Sequence, residues 1–369
     1  MSFEKIKKNF GFGCMRLKMD GDSVDMEEFT KMVDYFMQNG FNYFDTAHGY
    51  LDGKSEIAIK QGLSDRYPRE SFVLTNKLSP WLVEKQEDIK PYILNQLSLC
   101  GVEYFDFYLM HSQNKEFYQK FKNIKAYETA FELKKEGLIK HVGLSFHDTA
   151  DVLDMILTEN PQIEVVQIQF NYLDFDDPVN QSKLCYDVCR KHNKPILIME
   201  PIKGGRLVNL SPKASKIFDD LGGGSYASYA LRFAGSFDGV LMILSGMGNM
   251  DMMKDNLSFM KDFKRLSDKE FSAVSKVTEI LKKENLISCT NCRYCVDGCP
   301  SQIKIPDLFS IYNNMVKTET LNVNEYDEFT LNTGKASSCV KCGGCEEVCP
   351  QRLPIKKLIS KLAWIYEKK

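Results

Sequence analysis

The chain has 369 residues, with 48 basic and 50 acidic side chains and a formal net charge of −2. This length accommodates one large domain and one small one, each able to bury apolar surface. The balanced charge lacks the basic footprint of a nucleic-acid-binding protein or a polybasic membrane patch, so we expect neither partner.

The start of the chain and its apolar runs bear on cellular location. The first residues, MSFEKIKKNFGFG, contain lysines but no apolar stretch of signal-peptide length. No later apolar run is long enough to span a bilayer. We therefore expect a cytoplasmic protein.

Short β-rich runs alternate with amphipathic helical runs over residues 10–260. Helical stretches such as MEEFTKMVDYFMQN and FKNIKAYETAFELKKE repeat apolar residues at intervals of three and four. Strands that are apolar on both faces, each followed by a helix, indicate a parallel sheet covered on the outside. The eight predicted strands are FGCMRL (12–17), NYFDTA (42–47), FVLTNK (72–77), YFDFYLMH (104–111), KHVGLS (140–145), VVQIQFN (165–171), PILIMEP (195–201) and GVLMILSG (239–246).

Eight strand–helix units in this length predict an α/β fold of the (β/α)₈ TIM-barrel type. A doubly wound open sheet is the alternative, but that fold normally carries a glycine-rich dinucleotide turn after its first strand. The run GFGCMR does not have that pattern.

Polar residues at the carboxyl ends of barrel strands are the first candidates for an active site. Asp45 ends the second predicted strand, and Tyr50 follows it by five residues. Lys77 ends the third strand and His111 the fourth. Each of them alone also fits a structural role, such as a helix cap, a solvated strand end or a core histidine. Together they place four ionisable groups at one mouth of the barrel.

The motifs FDTAHGY, TNK and DFYLMHS resemble the aldo-keto reductase family over about residues 10–260. The resemblance implies a catalytic tetrad in which Tyr50 is the general acid, Lys77 lies beside it and Asp45 pairs with Lys77. His111 would orient and polarise the carbonyl oxygen. The implied reaction is nicotinamide-dependent reduction of an aldehyde or ketone, or the reverse oxidation of an alcohol.

The chemistry of carbonyl reduction agrees with these roles. Hydride addition produces a developing alkoxide, which needs a proton donor within hydrogen-bond reach and a polarising group beside it. A free tyrosine has a pKa of about 10 and donates reluctantly at neutral pH. We expect the Lys77 ammonium to lower the pKa of Tyr50, and Asp45 to keep the lysine charged.

The same resemblance implies a site for NADP(H), with NAD(H) as the second choice. Basic residues that bind the 2′-phosphate in many family members are replaced here by Gly246 and Met252, while Lys203 and Lys254 offer compensating charge. Phe146 stands where many relatives have an asparagine, which removes one contact to the carboxamide. The implied cofactor-binding residues are Ser145 and Gln167 at the carboxamide, Pro201, Ile202, Lys203, Gly204 and Gly205 over the pyrophosphate, and Ser245, Gly246, Met247, Asp255 and Asn256 around the adenosine.

Two runs near the C-terminus, CTNCRYCVDGCP (289–300) and CVKCGGCEEVCP (339–350), hold eight of the twelve cysteines. Each has the spacing C-x₂-C-x₂-C-x₃-C-P of bacterial ferredoxins with two [4Fe–4S] clusters, in which the fourth cysteine ligates the other cluster. A Cys₄ zinc site also uses C-x₂-C pairs and is the alternative. The ferredoxin pattern implies one cluster on Cys289, Cys292, Cys295 and Cys349 and a second on Cys339, Cys342, Cys345 and Cys299.

These motifs predict three segments: a barrel at 1–262, a linker helix at 263–286 and a small ferredoxin-like domain, α+β or α-helical, at 287–369. Helices are expected at IPDLFSIYNNMVK and LPIKKLISKLAWIYEKK.

Nicotinamide gives up a two-electron hydride whereas each cluster accepts one electron, so direct exchange needs a mediator. Three functions remain open. The first is a reductase whose clusters exchange electrons with a substrate or an external redox protein. The second is a carbonyl reductase with structural clusters. The third is a ferredoxin-like electron carrier with the barrel as a docking module.

Overall fold

The computed structural model describes residues 3–367. Ten strands are found there: β1 Phe10–Gly13, β2 Met19–Asp20, β3 Ser23–Val24, β4 Tyr43–Asp45, β5 Val73–Leu78, β6 Phe105–Gln113, β7 Ile139–Phe146, β8 Val165–Gln169, β9 Ile196–Met199 and β10 Val240–Ser245. Strands β1 and β4–β10 form a closed barrel with parallel neighbours, in the order β1-β10-β9-β8-β7-β6-β5-β4. Strands β2 and β3 form a separate antiparallel pair.

Helices follow most of the barrel strands and continue beyond the last one. Within residues 3–367, none of them has the length and apolar character needed to cross a bilayer. The helices are α1 Met26–Gln38, α2 Lys54–Ile59, α3 Gln86–Cys100, α4 Lys115–Asn123, α5 Ala126–Lys135, α6 Ala150–Glu159, α7 Ser182–Lys191, α8 Pro212–Asp219, α9 Tyr226–Gly235, α10 Met250–Met260, α11 Asp268–Lys283, α12 Ile305–Thr318, α13 Val323–Thr330, α14 Gly344–Glu347 and α15 Ile355–Glu367.

Helix α1 illustrates how the sequence produces the outer layer. The carboxylate of Asp25 accepts a hydrogen bond from the Glu28 amide at 3.0 Å and so caps the first turn. The apolar residues of α1 recur on one face and are buried. Phe36 on that face packs against Phe12 and Phe44, with ring centroids 5.9 and 5.4 Å away.

The interior of the barrel is filled with side chains and is not a channel. Inward-facing residues from the strands form one buried cluster, which Phe3 and Ile6 pack against. This cluster contains Tyr43, Val73, Phe107, Leu109, Val165, Leu197, Met242 and Leu244. Such a packed interior leaves the strand ends as the place for a site.

The (β/α)₈ barrel and all eight of its predicted strands are confirmed. The first strand lies earlier than predicted, because Cys14–Arg16 form a 3₁₀ turn and end β1 at Gly13. The helical run at 121–136 is split into α4 and α5, because Lys125 takes a left-handed conformation with φ of 52°.

The chain divides into two compact units, and their boundaries differ from the predicted segments. The first unit extends to Pro201 and resumes over Ala227–Asp268; the second contains Ile202–Tyr226 and Lys269–Lys369. A stretch between β9 and β10 therefore folds with the C-terminal part. Hydrogen bonds inside the second unit explain this, since Arg206 Nη1 donates to Ser288 Oγ at 2.9 Å.

The second unit has its own apolar core and, over its described residues, contains helices and turns without strands. It is thus the α-helical form of the predicted ferredoxin-like domain. Leu308, Ile359 and Leu362 lie at the centre of the core. The rings of Tyr326 and Tyr366 stack there at 4.7 Å with an interplanar angle of 9°.

Candidate active site and cysteine runs

Lys77 is the centre of a polar cluster at the carboxyl end of the barrel. Its side chain is fully buried, and its Nζ lies 2.7 Å from Asp45 Oδ1. The same amine donates to the Thr46 carbonyl at 2.9 Å and to Tyr50 Oη at 3.0 Å. All three of its donors are therefore used. Because Tyr50 Oη accepts from Lys77, the hydroxyl hydrogen of Tyr50 is available to donate to another acceptor.

The electrostatics of Tyr50 differ from the sequence prediction. Burial raises the pKa of Tyr50 well above 10, and the charges of Asp45 and Glu200 raise it further, while Arg16 opposes them. The predicted lowering by Lys77 is therefore wrong. The reason is that the pair sits in a desolvated pocket, where burial also lowers the pKa of Lys77 against the pull of Asp45. Tyr50 is consequently protonated at neutral pH and can act as a donor.

His111 lies at the same mouth, with its ring centroid 6.3 Å from that of Tyr50. Burial, followed by the charges of Lys77 and His147, holds the pKa of His111 well below 6.5. The imidazole is therefore neutral and has one N–H. Its Nδ1 lies 2.8 Å from Ser79 Oγ. If this hydroxyl donates, the proton of His111 is on Nε2.

Sequence reasoning missed Ser79, although a signal was present. Ser79 follows Lys77 by two residues, directly after β5 and before Pro80. A polar residue at a strand end of a TIM barrel belongs with the candidates. The ring centroid of Trp81 lies 5.2 Å from that of His111.

The two predicted carboxamide-binding residues lie on adjacent strands at this end. Ser145 on β7 is in register with Gln167 on β8, and both are buried. Gln167 Nε2 donates to Asp45 Oδ2 at 3.3 Å, which connects it to the Lys77 cluster. Ser145 Oγ accepts from the Ser112 amide at 2.9 Å and keeps its own proton to donate. This pair provides donors and acceptors that complement a primary amide.

The segment after β10 holds a second group of predicted cofactor residues. Ser245 Oγ accepts from Asn256 Nδ2 of α10 at 3.1 Å, and Met247 is buried. A Cβ on Gly246 would lie 3.1 Å from Cδ of Arg16, so the arginine stem lies against this glycine. Sequence reasoning gave Arg16 no role. Asp255 lies on the same helix as Asn256.

Arg16 is the cation that the sequence analysis missed at this mouth. Its Nη2 lies 3.5 Å from Glu200 Oε1, and both charges act on the pKa of Tyr50. Glu200 has a left-handed backbone with φ of 53°, and its carbonyl accepts from Asn171 Nδ2 at 3.0 Å. Such strain at a non-glycine residue clusters at functional sites.

The predicted pyrophosphate segment is divided between the units. Pro201 ends the first stretch of the first unit, whereas Ile202, Lys203, Gly204 and Gly205 belong to the second. Lys203 is buried and its Nζ lies 3.3 Å from Gln351 Oε1. The close backbone approach expected at Gly204 is made by Thr290, whose backbone occupies the space that a Cβ would need.

The first cysteine run and the end of the second line one cavity. Cys289, Cys292 and Cys295 face it together with Cys349, the residue that the ferredoxin pattern assigns to them. Apolar side chains such as Ile305, Phe309 and Ile355 close the rest of the cavity. Four cysteines in a mostly apolar enclosure fit the donor set of a [4Fe–4S] cluster.

The ferredoxin pattern assigns the other four cysteines to a second group. Burial, Glu346, Cys339 and Cys342 raise the pKa of Cys345 to about 11, which places these three cysteines near one another. Ser301 Oγ donates to the Ser338 carbonyl at 2.6 Å and holds the end of the first run, with Cys299, beside the start of the second. Over residues 3–367, no trio of cysteine, histidine or acidic side chains is arranged to hold a single metal ion.

Family models match both parts of the chain. The model of the aldo/keto reductase family matches residues 9–279. The chain belongs to this family. A model of a 4Fe-4S dicluster domain matches residues 288–353 of this aldo/keto reductase. The protein is therefore an oxidoreductase with a barrel and a C-terminal iron–sulfur domain.

Relatives and solved structures agree with this assignment. The aldo/keto reductase is 25% identical to Protein REDOX 2 of Catharanthus roseus over 63% of this chain and 75% of that protein. It is 26% identical to the NADH-specific methylglyoxal reductase of Escherichia coli K12 over 46% of this chain and 54% of that protein. An aldo-keto reductase from Klebsiella pneumoniae in complex with NADPH has the same fold, with a TM-score of 0.59 and 19% identity over 75% of this chain and 96% of that one.

Proposed function

We propose that this aldo/keto reductase reduces an aldehyde or ketone with a nicotinamide cofactor, and runs the reverse alcohol oxidation. The observation that carries the proposal is the contact between Lys77 Nζ and Tyr50 Oη at 3.0 Å, in a pocket that keeps Tyr50 protonated. A bound nicotinamide supplies the hydride. Tyr50 then donates its proton to the developing alkoxide.

The other three residues prepare this proton transfer. Lys77 fixes the position of the Tyr50 hydroxyl, and Asp45 compensates the lysine charge at 2.7 Å. His111 is neutral, and with Ser79 Oγ donating to its Nδ1 it would carry its proton on Nε2 and donate it to the carbonyl oxygen. Buried donors aimed at a developing charge stabilise a transition state more than they do in water, because no solvent must reorganise.

We propose NADP(H) as the cofactor, with NAD(H) as the second choice. Ser145 and Gln167 would hold the carboxamide, and Ser245, Gly246, Met247, Asp255 and Asn256 would contact the adenosine half. The Klebsiella structure is described as a complex with NADPH, whereas the Escherichia coli relative is named NADH-specific. Comparing the Kd of NADPH and NADH by fluorescence titration tests this preference. A tighter complex with NADH would overturn it.

We also propose that the second unit holds two [4Fe–4S] clusters in a reducing cytoplasm. The first would use Cys289, Cys292, Cys295 and Cys349, which line one cavity. The second would use Cys339, Cys342, Cys345 and Cys299. Anaerobic reconstitution followed by iron and sulfide analysis should give eight of each per chain, and Cys349→Ser should lose about half. Zinc in place of iron would contradict the proposal.

We propose that the clusters pass single electrons to or from a substrate or an external redox protein. The second cysteine run favours contact with a protein partner, since Cys342 and Val340 are exposed and Lys341 lies between them. Anaerobic mixing with NADPH, followed by visible absorbance, tests the connection to the nicotinamide. Bleaching without a mediator would mean that nicotinamide electrons reach the clusters.

A second candidate function is carbonyl reduction with clusters that serve only to hold the second unit together. The contact of Gly204 with Thr290 favours this structural role, because the first cysteine run packs there against a segment that is distant in the sequence. The two candidates differ in the outcome of Cys292→Ser. Structural clusters predict lower thermal stability with an unchanged carbonyl reductase rate, whereas electron transfer predicts loss of reduction of an external acceptor.

A further inference from the structure

Lys203 is a buried cation inside the second unit. Lys203 is 1% exposed, and its backbone is in a left-handed conformation with φ of 47°. Its Nζ contacts the amide oxygen of Gln351 at 3.3 Å, across 148 residues of sequence. Burying an ammonium group costs free energy unless it is hydrogen-bonded or paired.

The residues around Lys203 hold it beside the first cysteine group. Gln351 and Thr290 line the same cavity as Cys289 and Cys349. Each is within two positions of one of those cysteines in the sequence. Lys203 is therefore separated from the cavity by a single side chain.

Neighbours of Lys203 in the chain fix the segment against the same loop. Gly204 leaves no room for a Cβ against the Thr290 backbone. Arg206 Nη1 donates to Ser288 Oγ at 2.9 Å, directly before Cys289. Contacts of Lys203, Gly204 and Arg206 with Gln351, Thr290 and Ser288 thus hold this segment against the loop that lines the cavity.

A fixed cation at this place has a defined electrostatic effect. A [4Fe–4S] core with four thiolates is an anion, and one added electron increases its negative charge by one. A buried ammonium group therefore stabilises the reduced form more than the oxidised form. Protein interiors screen charges less than water does, so a charge one side chain away from the cluster still interacts with it. The surrounding charge is one of the features that set cluster potentials.

We propose that Lys203 raises the reduction potential of the cluster held by Cys289, Cys292, Cys295 and Cys349. This rests on the proposed presence of that cluster. The step is the uptake of one electron from a one-electron donor, with no bond formed or broken and no proton transferred. The segment that the family resemblance assigns to nicotinamide pyrophosphate thus also acts on the iron–sulfur chemistry of the second unit.

The test is an anaerobic potentiometric titration with dithionite, followed by electron paramagnetic resonance, on the full chain with both clusters. At the midpoint potential of the wild type, we expect Lys203→Met to lower the ratio of reduced to oxidised first cluster about tenfold. For a one-electron couple this equals a shift of about 59 mV to more negative potential. Lys203→Arg, which keeps the charge, should titrate close to the wild type.

Controls separate this proposal from the presence of the cluster. Lys317→Met removes an exposed lysine of the same unit whose Nζ contacts the Asn209 carbonyl at 3.0 Å, and it should leave the potential unchanged. Iron analysis of the wild type tests the cluster itself. Full iron content with an unshifted potential in Lys203→Met would overturn the role of Lys203. If Lys203→Met and Lys203→Gln both lose the first cluster, Lys203 acts in retention and the effect on potential is also overturned.

Discussion

The Lys77 amine lies 2.7 Å from Asp45 Oδ1, and both side chains are buried. Lys77→Met leaves the carboxylate without its cation, which typically costs about 3–5 kcal/mol of stability. The double variant Lys77→Met with Asp45→Asn should recover part of this loss. Thermal unfolding followed by circular dichroism measures both.

The exposed pair of Lys183 and Asp187, with Nζ and Oδ2 2.6 Å apart, is the matched control. Lys183→Met should change the melting temperature little, because water and ions screen exposed pairs. Equal losses for the buried and the exposed lysine would contradict the role of burial in the first pair.

Tyr50→Phe removes the proposed proton donor with little change in shape. General acid catalysis typically contributes about 10²- to 10⁴-fold, so we expect kcat for carbonyl reduction to fall by that factor. The Kd of NADPH should stay the same. Tyr67→Phe, which removes a hydroxyl bonded to Asp34 at the surface, should keep full activity. An unchanged kcat in Tyr50→Phe would contradict the assignment of Tyr50 as the proton donor of the tetrad.

The pKa shifts at the mouth predict an unusual pH profile for carbonyl reduction. Because the pKa of His111 is well below 6.5, this residue stays neutral as the pH rises from 6 to 8. Because the pKa of Tyr50 is well above 10, the donor stays protonated up to at least pH 10. We therefore expect kcat/KM for the carbonyl to be flat from pH 6 to 10. An inflection near 6.5 that disappears in His111→Gln would show that His111 titrates there.

Ser79 should act on the reaction through His111. Its hydroxyl lies 2.8 Å from Nδ1, and the loss of one such hydrogen bond is worth about 1 kcal/mol. We expect Ser79→Ala to lower kcat by roughly fivefold, a factor that follows from this energy, without changing the KM for the nicotinamide. Ser79→Thr, which keeps the hydroxyl, should restore kcat. A change in KM alone would indicate a packing role.

Gly204 and Gly222 provide a matched pair in the second unit. Both have left-handed φ angles, 61° and 63°, but of the two only Gly204 has neighbours within 4 Å of the position that an added methyl group would take. Gly222→Ala should therefore lower the free energy of unfolding only by the cost of a left-handed backbone at alanine, about 1–2 kcal/mol. Gly204→Ala should cost more and lower the iron content, because Thr290 would have to move. Equal melting temperatures for the two variants would contradict this packing.

The sequence predicted the barrel well because its signals are local. Each strand is a short apolar run between helical patterns, and Asp45, Lys77 and His111 fall at strand ends that a closed barrel brings together. The cysteine runs are likewise recognisable from local sequence, because the ferredoxin spacing lies within twelve consecutive residues. Ser79 and Arg16 were missed because neither belongs to a motif, although the fold brings both to the mouth.

The extent of the second unit was not predictable in the same way. Ile202–Tyr226 joins it through contacts such as Arg206 with Ser288, which are 82 residues apart. No pattern of apolar residues within 202–226 indicates that this stretch packs against the C-terminal part of the chain. The pKa of Tyr50 also depends on burial, which the order of residues does not reveal. Desolvation raises this pKa, nearby cations such as Arg16 lower it, and in the folded protein desolvation has the larger effect.

The interrupted second unit has a consequence for the order of events during translation. Lys203 leaves the ribosome 148 residues before Gln351, an interval of roughly 7 to 30 seconds at about 5–20 residues per second. Strand β10 and helix α10 are made in that interval. The nascent Ile202–Tyr226 stretch must wait, without its partners, until the last third of the chain has emerged. Under the proposed cluster assignment, loading of the clusters therefore follows the synthesis of every barrel strand.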